Sequence, residues 1–262
     1  SLPLYPMKNL TLTILLGFTL AGLPLPTSAQ EEESAEPEIL QWQRDFENLD
    51  PAIRGQVGEM MMKANALYRQ KRIFEAINAL HEVANIHADL PDLHNLRGAC
   101  YVDFRDFARA REEFARASEL SPNNPDILFN LAEISFVTRQ WPAAEREFEH
   151  VLSLAPKKNT AMIRIVEFKL LLIKMKLGKD EEVKELAARY DHTEDSPFHY
   201  YAEAALAYQE GDTETAEEWL RRAQRIFKNP ESLTPWMDTL VEFGYIKSFY
   251  GGDLQNQGLP PE

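Results

Sequence analysis

One cysteine, Cys100, stands among 262 residues, so no intramolecular disulfide can form. It lies between Ala99 and Tyr101 and reads as a small buried side chain. The eleven glycines contain no GxxxxGK or GxGxxG run, which leaves no loop to cradle a phosphate, and no GxSxG elbow presents a nucleophile. A basic tract is lacking too. Arg221, Arg222 and Arg225 share their segment with Glu214, Glu217 and Glu218, and the net charge of -14 repels nucleic acid and anionic lipid. His81-Glu82 opens like a zinc-protease motif, but the second ligand belongs four residues on, where Asn85 stands, and His87 points to another side. The acidic pairs Glu112-Glu113, Glu181-Glu182 and Glu217-Glu218 diverge on helix surfaces instead of facing one another in a cleft. The sequence therefore supports no catalytic residue, no metal site and no cofactor.

What is present begins at the amino terminus. Lys8 precedes an apolar heart from Leu10 to Leu25, and Thr27-Ser28-Ala29 places small residues before a cut after Ala29. Residues 1–30 read as a secretory signal peptide, with 1–6 an upstream extension before Met7. An uncleaved anchor is the competing reading, which Pro24 and Pro26 disfavour by breaking the helix late. The mature chain is expected to be exported to a bacterial periplasm, with secretion the other destination, and without membrane insertion once the signal is cut. Residues 31–37 form an acidic leader.

The strongest signal is a period. Ala76, Ala110 and Ala144 are spaced by 34 residues, and other positions repeat in phase: Ala64, Gly98, Ala132; Leu80, Phe114, Phe148; Val83, Ala117, Val151. Ile73, Phe107 and Trp141 recur at the turn, and Pro122 and Pro156 stop the second helices. This pattern resembles the tetratricopeptide repeat family. The resemblance implies an all-α fold, a right-handed α-solenoid of about five stacked antiparallel helix pairs with terminal capping helices. The repeats fall at 57–90, 91–124 and 125–158, an irregular fourth at 159–196 and a fifth at 197–230. Residues 38–56 supply a helix leading into the array, 231–250 a capping helix from Pro235 to about Tyr250, and 251–262 a tail. Departures from the family pattern are His94 at a bulky place, and Lys63 and Arg97 where leucine is common. The first helix of the fourth repeat is apolar around most of its circumference, so burial on several sides follows, with Lys169, Lys174 and Lys176 reaching water by their stems.

In the family the first helices line a concave groove. The matching places here hold Met61, Asn65 and Tyr68, then Asn95 and Val102, then Phe129, Glu133 and Phe136, with Ile163, Tyr201 and Tyr208 by extension. The family's peptide-carboxylate clamp is incomplete: Asn65 matches one place, but Met61 stands at a lysine place and Leu96 at an asparagine place. An apolar, aromatic groove of this kind implies a protein or peptide partner. The chain thus reads as a non-catalytic interaction scaffold of the envelope. Self-association through the fourth repeat or the helix around Trp236 is the alternative, and a metal-dependent enzyme built on His81 and His87 ranks below both.

Overall fold

The structure, a computed structural model, describes residues 39–193 and 196–246. The signal at 1–30, the acidic leader at 31–37 and the tail at 251–262 lie outside the described residues. Among the described residues there are twelve helices and no strand. They fall into two compact units that divide between Ile134 and Ser135.

The N-terminal unit holds α1 (Gln41–Glu47), α2 (Pro51–Arg69), α3 (Ile73–Ile86), α4 (Pro91–Asp103), α5 (Phe107–Leu120) and α6 (Pro125–Val137) as far as Ile134. Caps written in the sequence start these helices. The Asp50 carboxylate accepts from the Ala52 N–H at 2.8 Å with Pro51 in the first turn, and Asp106 accepts from the Arg109 N–H at 3.1 Å. The core joins Val57, Met61 and Ala64 of α2, Ala76, Leu80 and Val83 of α3, and Leu93, Leu96 and Cys100 of α4, with Trp42 and Phe46 of α1 packed against it. Small residues set how closely the helices approach. Ala76 and Ala110 are fully buried, and a Cβ placed on Gly98 would lie 2.6 Å from the Phe114 ring.

His94 and Arg97, the departures noted above, converge on one carboxylate. His94 Nδ1 lies 2.8 Å from Glu113 Oε2 and its Nε2 3.1 Å from the Ala88 carbonyl, while Arg97 Nε lies 2.8 Å from Glu113 Oε1. Burial pushes the Glu113 carboxyl up, but the bonds from His94 and Arg97 outweigh it and hold the group below its ordinary value.

The C-terminal unit holds the end of α6, then α7 (Trp141–Leu154), α8 (Thr160–Lys176), α9 (Asp180–Ala187), α10 (Phe198–Gln209), α11 (Thr213–Ile226) and α12 (Pro230–Phe243). The all-round apolarity of α8 is matched by its neighbours, since α7, α9, α10 and α12 all pack against it. Two of its lysines correct the expectation that they reach water. Lys169 is 0% exposed and Lys174 is 7% exposed. Lys174 is held by carboxylates from both flanking helices, at 2.8 Å from Glu145 Oε1 and 2.6 Å from Glu182 Oε2. Burial depresses the Lys174 ammonium, and these carboxylates more than reverse the effect.

One turn recurs between the helices of each pair. Lys71 and Arg105 in the N-terminal unit adopt φ of 59° and 57°, and Arg139, Gly178 and Gly211 in the C-terminal unit adopt 58°, 67° and 80°. At each, the following residue donates back to a carbonyl five positions earlier, from Arg72 to Leu67 at 3.0 Å through to Asp212 to Ala207 at 2.9 Å. This left-handed closure reverses the chain so that each second helix returns along the first.

The last helix departs from the sequence reading. It begins at Pro230, with the Asn229 side chain accepting from the Glu231 N–H at 3.1 Å, so Pro235 sits inside it instead of opening it. It stops at Phe243 because Gly244 turns left-handed at φ 96° and donates to the Leu240 carbonyl at 3.1 Å. Its apolar side is turned onto the first helices of the unit.

Candidate functional site

In the N-terminal unit most of the expected groove residues serve the interior. Met61, Val102 and Phe129 are buried, Phe129 completely. Asn95 is buried and accepts from Asn130 Nδ2 at 2.8 Å, and Glu133 is buried as well. Asn65 and Tyr68 are half-buried. Tyr68 bonds to Asp103, which also takes Lys71 at 3.0 Å, and the Lys71 ammonium lies 5.3 Å from the Tyr68 ring centroid. Burial first, then the Asp103 charge, raises the Tyr68 hydroxyl well above the usual tyrosine range. Phe129, expected to line the groove, is an interior side chain instead. What stays partly accessible here is the amide of Asn65 and the phenol of Tyr68.

The C-terminal unit gathers the remaining candidates into one constellation. Phe136 and Tyr201 are buried, Ile163 and Tyr208 half-buried. Phe136 at the end of α6, Phe168 of α8 and Tyr201 of α10 come from three successive first helices, and α12 lies across all three. Its Trp236 ring sits 5.4 Å from Phe168 and 5.7 Å from Tyr201. At the C-terminal end of the helix, Phe243 stacks on Phe136 at 6.1 Å and meets Trp141 at 5.6 Å. Beyond the helix, Tyr245 stacks on Tyr208 at 5.2 Å. Leu233 and Leu240, on the same side of α12, are buried too. The spacing of Leu233, Trp236, Leu240 and Phe243 is that of a single helix face.

A charge contact runs through this apolar seat. Lys169 Nζ lies 3.4 Å from Glu242 Oε2 of α12 and 4.6 Å from the Phe136 ring centroid. The Lys176 ammonium lies 5.2 Å from the Phe243 ring centroid. Asp238 is 2% exposed, and its Oδ1 has no hydrogen-bond partner among the described residues. Burial and then the nearby Glu242 push the Asp238 carboxyl up to about 7, against the pull of Lys169.

Ile163 has a different setting. On the following turn of its helix, Glu167 accepts from the Tyr190 hydroxyl at 2.6 Å and from Arg189 at 2.5 Å, and the Arg164 guanidinium lies 3.5 Å from the Tyr190 ring centroid. These bonds draw in the chain just after α9, which ends at Ala187.

Sequence reasoning missed Phe168, Lys169, Asp238 and Glu242 as members of this site. The available signal was α8 itself, whose excess of apolar surface needs a partner on the groove side. The two surfaces offered for self-association, α8 and the region of Trp236, are packed against each other within the unit. Among the described residues no three His, Cys, Asp or Glu side chains are grouped to hold a metal ion, and no helix is long and apolar enough to cross a membrane.

Comparison with known proteins fits this architecture. Two family models, both described as tetratricopeptide repeat, match residues 61–125 and 101–164. No curated protein matches the chain. Among solved structures, the chain is similar to pilF of Pseudomonas aeruginosa, with 13% identity, a TM-score of 0.52, and coverage of 73% of this chain and 96% of that one. It is also similar to YrrB, described as a TPR protein with an unusual peptide-binding site, with 16% identity, a TM-score of 0.50, and coverage of 75% and 96%. A likeness to a Thermobaculum terrenum O-GlcNAc transferase, at 15% identity and a TM-score of 0.44, takes in 62% of this chain but only 27% of the enzyme, and nothing about activity follows from it. At these identities the shared property is the fold.

Proposed function

Because the chain is a tetratricopeptide-repeat protein, one of a family that generally binds proteins or peptides, we propose that it is a non-catalytic scaffold of the bacterial cell envelope. It holds a segment of a partner protein on the face built by the first helices of its C-terminal unit. The observation that carries this reading is the row Phe136, Phe168 and Tyr201, an apolar seat on the first helices that receives one face of a helix, here α12. YrrB, with its peptide-binding site, supports the same use of the fold. The envelope location rests on the basic start, apolar core and small-residue site of residues 1–30.

Capture of envelope proteins on the mature chain tests the surface. Tyr208→Ala combined with Ile163→Ala alters half-buried first-helix side chains and should reduce recovery of specific partners at least several-fold. Equal recovery by the altered and unaltered chains would move binding elsewhere. N-terminal sequencing of the protein from cells tests the location: a mature terminus at Gln30 is expected, and a terminus at Met7 in the soluble cytoplasmic fraction contradicts export.

A further inference from the structure

We infer that a second recognition site lies between α10 and α11, built for a peptide segment that carries carboxylates beside an aromatic side chain. The inference goes beyond the scaffold reading above, because this site uses a different side of α10. Tyr201 turns to Trp236 of α12, whereas its neighbours His199 and Tyr200 turn to Trp219 of α11, at 5.5 and 6.2 Å between ring centroids.

Those rings wall a cavity of about 460 Å³ that is also lined by His192, Arg222, Arg225 and Ile226. The volume lies within the roughly 300–1,000 Å³ usual for ligand pockets. Trp219, Arg222 and Ile226 recur at helical spacing, so one side of α11 offers indole, guanidinium and alkyl groups together. Ile226, at 53% exposed, leaves an apolar rim in water.

The arrangement of charge selects an anion. The Arg222 guanidinium lies 4.5 Å from the Trp219 ring centroid, a contact that pre-orders its fork of N–H donors. Arg222 and Arg225 both donate to Glu218 Oε1, at 3.2 and 3.1 Å, and Arg221 lies 3.3 Å from Oε2. One carboxylate thus serves three guanidiniums. The other N–H groups of Arg222 and Arg225 have no partner among the described residues. Asp191, the acid beside His192, accepts instead from the Thr193 N–H at 2.8 Å and its hydroxyl at 2.5 Å. A carboxylate entering the cavity completes the open forks, and a ring next to it packs on Trp219, His199 and Ile226. Both guanidiniums are largely in water, 46% and 60% exposed, so a bare anion gains little and the ring must add apolar contact.

The test uses the full mature chain and a five-residue peptide, two glutamates flanking a phenylalanine between blocked glycines. Nuclear magnetic resonance follows the indole N–H signals of Trp42, Trp141, Trp219 and Trp236, with Trp219 assigned through Trp219→Phe. The Trp219 signal should shift saturably as peptide is added. Glutamine in place of both glutamates, or alanine in place of the phenylalanine, should weaken binding at least fivefold. Arg222→Gln with Arg225→Gln should do the same, and should that variant fold poorly, the two altered peptides on the unaltered chain decide. An unmoved Trp219 signal at millimolar peptide overturns the site, as does equal binding of the glutamine peptide. Inorganic phosphate that matches the peptide in shift and affinity also overturns it, by showing an anion subsite that reads no peptide. Shifts at Trp141 and Trp236 without Trp219 put the peptide on the first-helix face, which sinks this inference and favours the scaffold reading.

Discussion

Gly98 shows how a single atom is read at the helix seam. An alanine there gains roughly 0.5–1 kcal/mol of helix propensity. Its Cβ, however, would sit 2.6 Å from the ring of Phe114, which is fully buried and has nowhere to move. Overpacking costs about 1–3 kcal/mol, so the clash wins and Gly98→Ala should lower the urea midpoint. A raised midpoint would show that the seam is looser than its packing implies. Arg139 is the opposite case. It holds φ 58°, where a side chain costs roughly 1–2 kcal/mol and glycine almost nothing. After the entropy glycine adds to the unfolded chain, Arg139→Gly should still stabilise by about 0.5–1 kcal/mol. An unchanged or lower midpoint would mean that the arginine side chain makes a compensating contact. The same pair of residues marks what could be read beforehand. Gly98 was legible because it keeps phase with Ala64 and Ala132. The left-handed turns were not, because Lys71, Arg105 and Arg139 carry no glycine to announce them.

At the scale of elements, α8 and α12 divide the legible from the illegible. Apolarity around α8 announced burial on several sides, and four helices cover it. The stripe on α12 announced only that it packs, not against what, since an amphipathic helix fits any apolar surface of the right width. Lys169 and Lys174 were misread for a related reason: a long stem reaches water on an exposed face, but partners from flanking helices keep both inside. The docking of α12 carries a pH signature. Asp238 faces Glu242 on its own helix and Lys169 on α8, and its pKa is raised from 3.8 to about 7. A carboxyl raised on folding leaves stability intact below its unfolded value and removes it as pH climbs through the folded value. Each pKa unit is about 1.4 kcal/mol, so the loss between pH 4 and pH 8 is on the order of 2–4 kcal/mol. Asp238→Asn should therefore melt higher than the unaltered chain at pH 8 and nearly with it at pH 4. Parallel melting curves at both pH values would refute the assignment of a neutral Asp238 in the docked helix.

At the scale of the molecule, the repeat fold was legible because periodicity is global and survives local exceptions such as His94 and the irregular fourth repeat. The proposed binding face was legible only in part. Family places located Phe136, Tyr201 and Tyr208 correctly on first helices, but exposure at a given place depends on what else in the chain packs there. In the N-terminal unit Phe129 is completely buried, and in the C-terminal unit the chain's own last helix covers the aromatic row. On the proposed reading, binding and self-coverage share one surface. A photo-crosslinking residue placed at Tyr208 in growing cells, beside a control at exposed His150 on α7, addresses that surface directly. A discrete partner adduct from position 208 and none from position 150 is the predicted result. Adducts from 150 with none from 208 would contradict the assignment of the first-helix face as the place where this protein is bound.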